Sequence, residues 1–503
     1  MNAAAPWRPL KALLGGAFDV PESVEVSDLT LDSRQVRPGS LFLACRGRRQ
    51  HGLAHASAAA AAGARAILWE PAPGVSPPAL ERGVLLMAVP DLHAQAGFIA
   101  DRFFAAPSAR LAVAGVTGTN GKSTCAWLLA DALSRCGRPT AYFGTLGRGR
   151  IGALQPSTHT TPDAVTVQRW LAEELAAGAR AVAMEVSSHA LDQERVAGVR
   201  FQAAAFTNLT RDHLDYHGTM AAYAAAKARL FEWPTLHTRV LNVDDEQGRE
   251  LARRLRDREG LWLTSRVSDS GALRAAAQFV HARSLRASAT GLELDIVSSA
   301  GEARLRSPLL GEFNADNLLT VLALLLGLGV GLAEACVALE QCRPPPGRME
   351  TLGGGALPLA VIDYAHTPDA LQKALQVLRA HTRGHLWCVF GCGGERDPGK
   401  RGEMGAIAAR LADRVVVTDD NPRGEDPAQI TAAIVAGMDA PARAEVIHDR
   451  AAAIASALAR ARGDDTVLIA GKGHEDTQLI GNLRRPFSDL QVARAALRER
   501  SAA

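Results

Sequence analysis

The segment most suggestive of chemistry is VAGVTGTNGKSTCAW, residues 113–127. A strict P-loop has the pattern G-x-x-x-x-G-K-[ST], but here Val116 occupies the position of the first glycine. Gly118 and Gly121 still predict a glycine-rich turn between a strand and a helix. Such a turn presents backbone N–H groups to phosphate, and a lysine adds positive charge. We therefore predict nucleotide binding by Gly118, Thr119, Asn120, Gly121, Lys122, Ser123 and Thr124.

Candidate metal-binding residues follow later apolar segments. Glu185 ends the strand-like segment ARAVAMEVSS and can reach a metal ion held between nucleotide phosphates, although strand-end carboxylates are often simply exposed. The segment TNLTRDHLDYHGT contains an unusual density of polar groups for a structural loop, namely Asn208, Asp212, His213, Asp215 and His217. From its pattern alone, Lys227 is a solvated helix lysine.

Four segments near the C-terminus share one pattern, an apolar strand that runs into a polar or glycine-rich loop. They are LAVIDYAHTP, HLWCVFGCGG, DRVVVTDDNPRGED and DTVLIAGKGHED. In open α/β sheets, ligands bind outside the carboxyl ends of the strands. The four loops are therefore predicted to line one crevice.

The chain organisation follows from its length and periodicity. A length of 503 residues indicates roughly three domains, and alternating strand-like and helical segments indicate an α/β fold with parallel sheets covered by helices. A smaller α/β unit precedes the phosphate loop, and Pro344–Pro346 break the chain after it. The apolar run at 318–332 is shorter than the roughly 20 residues that span a bilayer, so we predict a buried helix.

Composition excludes several classes of function. The net charge is only +3, and basic and acidic residues are interspersed along the chain. This argues against a nucleic-acid or anionic-membrane partner. The seven cysteines are scattered, without C-x-x-C spacing, and are expected to be reduced thiols. The first residues lack the apolar core of a signal peptide. We expect a cytoplasmic monomer with no membrane insertion.

The loop sequence GTNGKST resembles that of the Mur ligase superfamily, ATP-dependent amide-forming enzymes of peptidoglycan precursor and folylpolyglutamate synthesis. The resemblance covers nearly the whole chain. It is most detailed for the branch that adds the third amino acid to a UDP-N-acetylmuramoyl dipeptide. It implies three domains: an N-terminal UDP-binding domain (1–108), a central ATP-binding domain with a P-loop-type parallel sheet (109–345) and a C-terminal Rossmann-like amino-acid-binding domain (346–503).

The resemblance also assigns roles around ATP. It implies that Lys227 is carbamylated by CO2 and forms a Mg²⁺ set with Ser123, Glu185 and His213. Catalysis is implied for Lys122, Glu185, His213 and Lys227. Further ATP contacts are implied for Asn314 and Asn317 in GEFNADNLLTVLAL, and for Arg348 and Asp363 beyond the proline break. Helix capping remains an alternative role for Asn314.

The other substrates are assigned in the same way. The segments THTTPDAV and SSHALDQERV resemble the loops that hold the muramoyl dipeptide, which implies contacts from Thr160, Thr161, Ser187, Gln193 and Arg195. His159 precedes the two threonines, where asparagine is frequent in the family. The segment LTLDSRQVRPGSLFLACRG resembles the uridine-binding segment, with Ser33 as the contact and the positions around Arg49 and Gln50 as further candidates.

The segment TDDNPRGED reproduces the D-N-P-R motif of the members that use meso-diaminopimelate. An arginine can bind a carboxylate with two parallel hydrogen bonds, and diaminopimelate carries a second carboxylate that lysine lacks. A turn with a surface arginine is the alternative for Arg423 taken alone. The implied amino-acid contacts are Arg396, Asp420, Asn421, Pro422, Arg423, Gly471 and Glu475.

These assignments imply one reaction. ATP phosphorylates the D-glutamate γ-carboxylate of UDP-MurNAc-L-Ala-D-Glu, and the amino group of meso-diaminopimelate displaces the phosphate, in cytoplasmic peptidoglycan precursor synthesis. One alternative is a nucleotide-dependent switch that hydrolyses ATP without forming a bond, for which the four-loop crevice has no use. A folylpolyglutamate synthase or a MurF-like ligase is another, which the DSR segment and the D-N-P-R loop disfavour.

Overall fold

A computed structural model describes residues 7–47, 50–80, 83–157, 159–267, 273, 276–288, 291–439 and 444–502. The chain divides into two compact units, which are described separately. One comprises Met1–Thr264, Asp269–Phe279 and Ala323–Gly331, and the other Ser265–Ser268, Val280–Leu322 and Leu332–Ala503.

The first unit begins with a small α/β layer. Its parallel sheet has the order Asp28–Thr30, Ser40–Ala44, Ala66–Trp69, Leu85–Ala88. Side chains alternate between the faces of a strand, so Leu41 and Leu43 enter one apolar core and Phe42 and Ala44 another. The accompanying α-helices are Leu10–Leu13, Ala56–Ala61 and Leu92–Phe103, and Arg8–Pro9 pairs with Glu25–Val26. The smaller α/β unit predicted before the phosphate loop is confirmed.

A larger parallel sheet follows in the same unit. Its strands are ordered Leu261–Ser265, Thr238–Asn242, Phe201–Phe206, Ala112–Thr117, Ala181–Glu185, Thr140–Gly144, with the antiparallel Gly147–Gly149 at the edge. Its α-helices are Lys122–Arg135, Ala164–Ala176, Ser188–Asp192, Leu214–His217, Met220–Ala228 and Glu246–Arg254. Short 3-10 helices span Ser33–Gln35, Gly52–His55, Pro107–Ala109 and Arg229–Glu232. The strand before the phosphate loop is central, and Glu185 lies opposite Val116 in the adjoining strand.

The second unit contains a six-stranded sheet ordered Glu350–Gly353, Leu359–Asp363, Thr466–Ala470, Leu386–Phe390, Arg414–Val417, Ala444–Val446, in which only the first strand is antiparallel to its neighbour. Its helices are Pro368–His381, Gly399–Leu411, Pro427–Val435, Arg450–Arg460 and Asp489–Ala502. Antiparallel strands are Gln278–Ser288, Gly291–Ser298 and Gly301–Ser307, and a hairpin pairs Thr477–Ile480 with Leu483–Pro486. The predicted four-loop pattern is confirmed, since each loop leaves the carboxyl end of a parallel strand.

The long apolar run belongs to a helix, Phe313–Gly327, which is followed by the helix Leu332–Gln341. Leu318, Leu322 and Leu325 have no exposed surface, so the run is a buried helix as predicted. Within the residues that the structure describes, no helix is long and apolar enough to cross a membrane.

Candidate functional site

Residues 118–121 form the loop between the central strand Ala112–Thr117 and the helix Lys122–Arg135. Val116 is a fully buried residue of that strand, so a side chain is accommodated where the strict motif has glycine. Gly121 has φ +86°, and a Cβ on Gly118 would lie 1.9 Å from Thr207 Oγ1. The turn therefore needs glycine at 118 and 121, which are the positions that the shifted motif supplies.

Asn208 fixes the shape of this loop from the end of the neighbouring strand. Its carbonyl accepts the Thr119 N–H at 2.8 Å, its Oδ1 accepts the Asn120 N–H at 2.9 Å, and its Nδ2 donates to the Asn120 carbonyl at 3.1 Å. Lys122 Nζ donates to the carbonyls of Gly118 and Thr119 at 2.9 and 2.8 Å. The loop is therefore held in one shape, with its lysine folded over it.

Lys227, in the helix Met220–Ala228, is 1% exposed. Its Nζ donates to the Gly118 carbonyl at 2.7 Å and lies 4.5 Å from the centroid of the Tyr223 ring. Burial, and then the nearby charge of Lys122, lower the pKa of the Lys227 amine to about 6. The solvated-lysine alternative is therefore wrong. At neutral pH most of this amine is uncharged, beside the predicted phosphate site.

Glu185 is 1% exposed at the end of the strand Ala181–Glu185. Its Oε1 accepts the Tyr142 hydroxyl at 2.5 Å and the Thr145 N–H at 2.9 Å, whereas Oε2 accepts the Thr145 hydroxyl at 3.4 Å. The alternative of an exposed carboxylate is wrong. Tyr142, which the sequence analysis missed, fixes one carboxylate oxygen and leaves the other less engaged.

His213 precedes the helix Leu214–His217 in a left-handed conformation, with φ +51°. Its Nε2 lies 3.4 Å from Asp212 Oδ2. Its ring packs edge-on against the rings of His189 and Tyr223, with centroid distances of 4.8 and 6.0 Å. The Tyr223 hydroxyl lies 3.2 Å from Thr119 Oγ1, which connects this imidazole to the phosphate loop.

The donor atoms of these residues fit a metal ion only in part. Among the described residues, no three His, Cys, Asp or Glu side chains are placed to share one. Glu185 Oε2 offers the oxygen that Mg²⁺ prefers, whereas the Lys227 amine offers nitrogen and fits only if it is converted to an oxygen-bearing group. Ser123, in the first turn of the helix Lys122–Arg135, stays a predicted ligand.

The residues predicted to hold the dipeptide lie in one hydrogen-bonded group. Thr161 Oγ1 donates to the Glu185 carbonyl at 2.8 Å, and the Thr161 carbonyl accepts Arg195 Nη1 at 3.0 Å. Arg195 also donates to Gln193 Oε1 at 2.6 and 3.0 Å. Thr160 Oγ1 lies 3.0 Å from Thr145 Oγ1, and Ser187 caps the helix Ser188–Asp192.

Ser33 lines a cavity of about 590 Å³ in the first layer. Gln50 also lines it, whereas Arg49 lies outside the described residues. The full lining is Leu31, Asp32, Ser33, Arg34, Phe42, Leu43, Cys45, Arg46, Gly47, Gln50, Gly52 and His55. The uridine segment thus surrounds a concave site, as a ligand of that size requires.

The remaining ATP candidates lie in the second unit. Asn314 and Asn317 are buried, and Asn317 Nδ2 donates to Asn314 Oδ1 at 2.8 Å. Asn314 is the second residue of the helix Phe313–Gly327, inside its first turn and not at the capping position before it. Asp363 accepts the Met349 and Ala365 N–H groups, both at 2.9 Å, and burial raises the pKa of its carboxyl. Arg348 lies over the Tyr364 ring at 5.2 Å.

Arg348 also carries a buried atom without a partner. Its Nε–H donates to no partner among the described residues, and Nδ1 of the neighbouring His474 has no hydrogen-bond partner there either. Burial first, and then the charge of Arg348, lower the pKa of His474. A half-buried guanidinium with a buried, unused Nε–H suits an anionic ligand.

The four loops meet at the carboxyl edge of the second unit's sheet. Arg423 Nη1 donates to the carbonyls of Gly394 and Asn421 at 2.8 and 3.4 Å, and Asn421 Nδ2 donates to Glu475 Oε2 at 3.0 Å. A Cβ on Gly471 would lie 2.9 Å from Asp420 Oδ2. The turn-residue alternative for Arg423 is not excluded by these contacts, because its φ is +51°.

The other predicted members of this group lie in the same loops. Pro422 is buried, and its carbonyl is 2.0 Å from the position of a Cβ on Gly394. Arg396 is exposed in the loop after Phe390. Its charge interacts electrostatically with the Tyr364 hydroxyl, as do the charges of Glu475 and Asp420. The structure therefore brings together the predicted amino-acid contacts of three loops, with Tyr364 of the fourth loop near them.

Family models match the chain in three consecutive segments: the Mur ligase family catalytic domain over residues 25–104, the Mur ligase middle domain over 116–325 and the Mur ligase glutamate ligase domain over 347–473. The chain belongs to the Mur ligase family. This confirms the α/β, three-domain Mur ligase architecture that the sequence predicted.

Individual Mur ligases are similar over nearly the whole length. UDP-N-acetylmuramoyl-L-alanyl-D-glutamate–2,6-diaminopimelate ligase of Ectopseudomonas mendocina (strain ymp) is 52% identical, covering 97% of this chain and 98% of that protein. Its namesake in Pseudomonas aeruginosa is also 52% identical, covering 94% and 95%. A solved structure of a ligase of that name has a TM-score of 0.76 at 35% identity, covering 99% and 100%. MurF from Acinetobacter baumannii, at 19% identity and TM-score 0.65, shows the shared fold alone, covering 94% and 97%.

The low pKa of Lys227 predicts a pH-dependent cost to stability. Between about pH 10 and about pH 6 the unfolded lysine binds a proton that the folded one does not, so this cost grows as the pH falls. In Lys227→Met there is no amine to bind a proton in the unfolded chain, so this pH-dependent cost is absent. The Gly118 carbonyl keeps a donor, because Lys122 still donates to it. Relative to the wild type, the thermal midpoint of Lys227→Met should therefore rise as the pH is lowered, in carbon-dioxide-depleted buffer. The exposed-lysine control Lys373→Met should show no such trend, and a constant difference for Lys227→Met would contradict the prediction.

Proposed function

We propose that this Mur ligase is of the MurE type and uses ATP to join meso-diaminopimelate to the D-glutamate γ-carboxylate of UDP-MurNAc-L-Ala-D-Glu. The observation that carries the assignment is the loop group at the carboxyl edge of the second unit, where the loop that holds Asp420, Asn421 and Arg423 meets Glu475. The 52% identity to ligases named for diaminopimelate supports it. A switch protein would have no use for these loops.

The division of labour follows the predicted domains. Residues 1–108, with the cavity at Ser33, take the uridine end of the substrate. Residues 109–345 carry the phosphate loop and the dipeptide contacts, and residues 346–503 bind the amino acid and contribute Arg348 and Asp363 to ATP. We infer that the enzyme acts as a monomer on small molecules in the cytoplasm, where peptidoglycan precursors are made.

Phosphoryl transfer begins at the phosphate loop. Its N–H groups and Lys122 bind the phosphates of ATP, and the substrate's γ-carboxylate oxygen attacks the γ-phosphorus, which releases ADP and forms an acyl phosphate. The neutral amino group of meso-diaminopimelate then attacks the acyl carbon. The tetrahedral intermediate collapses with loss of phosphate and a proton, so no enzyme residue need form a covalent bond.

Ser123, Glu185, His213 and carbamylated Lys227 would hold Mg²⁺. When bound, the ion neutralises charge on phosphate oxygens. Conversion of the lysine fits its surroundings, because its buried amine is largely uncharged and so keeps the lone pair needed to add to CO2, with release of a proton. The carbamate replaces a nitrogen donor by oxygen donors and cancels positive charge next to Lys122.

The amino-acid site matches the distal centre of meso-diaminopimelate, which bears both a carboxylate and an ammonium. Arg423 uses Nη1 for loop carbonyls, and the described contacts leave its other nitrogens for a carboxylate. No hydrogen bond among the described residues engages Glu475 Oε1 or Asp420 Oδ2, which can accept the ammonium. This ammonium must be the distal one, since the attacking nitrogen needs its lone pair.

The assignment is tested with a panel of amino acids, by measuring phosphate release in the presence of ATP and UDP-MurNAc-L-Ala-D-Glu. We expect release with meso-diaminopimelate and little with L-lysine, D-alanyl-D-alanine or L-glutamate. The last two would instead be used by a MurF-like ligase and a folylpolyglutamate-type ligase. Phosphate release that is independent of every amino acid would indicate the switch function.

Specificity should depend on Arg423. A hydrogen bond to a charged group contributes about 1.5–3 kcal/mol, so Arg423→Ala should lower kcat/KM for meso-diaminopimelate roughly 10- to 150-fold, mainly through its KM, with the KM for ATP unchanged. The preference over L-lysine should largely disappear. Steady-state kinetics with both amino acids provide the measurement, and Arg414→Ala, at an exposed position of the same unit, is the control. An unchanged preference in Arg423→Ala would make this arginine a turn residue only.

The carbamate can be observed directly. Enzyme equilibrated with ¹³C-bicarbonate should show a carbamate carbon resonance that is absent from Lys227→Met and retained in Lys373→Met. The same Lys227 variant should have nearly no ligase activity, and added bicarbonate should not restore it. Full activity without Lys227, or a labelled resonance that survives its replacement, would exclude this role.

A further inference from the structure

Lys472 lies within the amino-acid site but was not among its predicted contacts. Its side chain has no exposed surface. Nζ lies 2.9 Å from Asn421 Oδ1, 3.1 Å from Glu475 Oε2 and 3.5 Å from Asp420 Oδ1. An ammonium group has three N–H donors, and here three acceptors from two loops surround it.

These bonds determine which atoms remain for a ligand. Glu475 Oε2 accepts both Lys472 Nζ and Asn421 Nδ2, so the carboxylate is held by one oxygen and Oε1 is left over. Asn421 Oδ1 accepts Lys472 Nζ and the Leu479 N–H, which fixes the orientation of the amide. Asp420 faces Lys472 with Oδ1, and its Oδ2 lies over Gly471.

A second buried cation nearby does not compete for this role. Arg450 is fully buried, but it donates to both oxygens of Asp489 at 2.7 Å and to the Ala470 carbonyl at 3.0 Å. Its charge is therefore matched by Asp489. Among the residues that the structure describes, Lys472 is therefore the cation that forms ion pairs with the two carboxylates of the site.

We propose that Lys472 is a positioning residue for substrate specificity, whose buried ammonium aims Glu475 Oε1 and Asp420 Oδ2 at the distal ammonium of the amino acid. This inference rests on the proposed function, because it takes the loop group to be the diaminopimelate site. Without Lys472 the two carboxylates repel each other and Asn421 loses a fixed orientation. The effect should fall on recognition of the distal ammonium and leave ATP binding unchanged.

The test compares meso-diaminopimelate with 2-aminopimelate, which keeps the distal carboxylate but lacks the distal ammonium. In Lys472→Met, the wild-type preference for meso-diaminopimelate in kcat/KM should fall by roughly tenfold or more, through KM, while the KM values for ATP and UDP-MurNAc-dipeptide stay constant. Lys472→Arg keeps the positive charge but spreads its N–H donors over three nitrogens instead of one. This variant should lose part of the preference. Lys373→Met is the control for loss of a lysine.

The outcomes separate this inference from the function on which it rests. A wild type that does not use meso-diaminopimelate overturns both. A wild type that uses it, with the preference unchanged in Lys472→Met, overturns the positioning role alone, and so does an equal rise in KM for all three substrates. If Lys472→Met does not fold, an unchanged preference in Lys472→Arg overturns the positioning role.

Discussion

Two lysine nitrogens meet at one carbonyl oxygen, and the chemistry of the first unit depends on that crowding. Lys122 Nζ and Lys227 Nζ lie 2.9 and 2.7 Å from the oxygen of Gly118. Burial of Lys227, and then repulsion from the half-buried ammonium of Lys122 at this distance, disfavour the charged form of Lys227. The more buried Lys227 becomes the neutral one. The same loop thus supplies a cation for phosphate and a nucleophilic amine beside it.

The fold was largely predictable, because apolar strands and their polar loops are local features. The phosphate turn, the parallel sheets and the buried helix Phe313–Gly327 are all predicted by periodicity and glycine positions. The order of the strands was not. Tyr142 reaches Glu185 only because the strand Thr140–Gly144 lies next to Ala181–Glu185, although about forty residues separate them in sequence. Contacts that depend on strand order were therefore missed.

The burial of Lys227 and Lys472 was also not predicted, because it too depends on contacts that the local sequence does not show. The helix Met220–Ala228 reads MAAYAAAKA, and its many alanines give no contrast between an apolar and a polar face. Nothing local shows that Lys227 faces inward. Lys472 follows Gly471 at a loop where glycine and lysine suggest exposure, and its burial depends on carboxylates that arrive from another loop. The resemblance to the family supplied a role for Lys227 and none for Lys472.

The two lysines show how partners, rather than burial, decide what a buried amine does. For both side chains, removal from water disfavours the charged form. Lys227 lies next to a second cation and a carbonyl oxygen, which do not offset the loss of hydration of an ammonium group. Its amine is therefore largely uncharged and nucleophilic. Lys472 lies next to two carboxylates and an amide oxygen, which offset the loss of hydration and hold its ammonium group in place. The proposed function uses both kinds of group, because it combines phosphate binding with the selection of a zwitterionic amino acid.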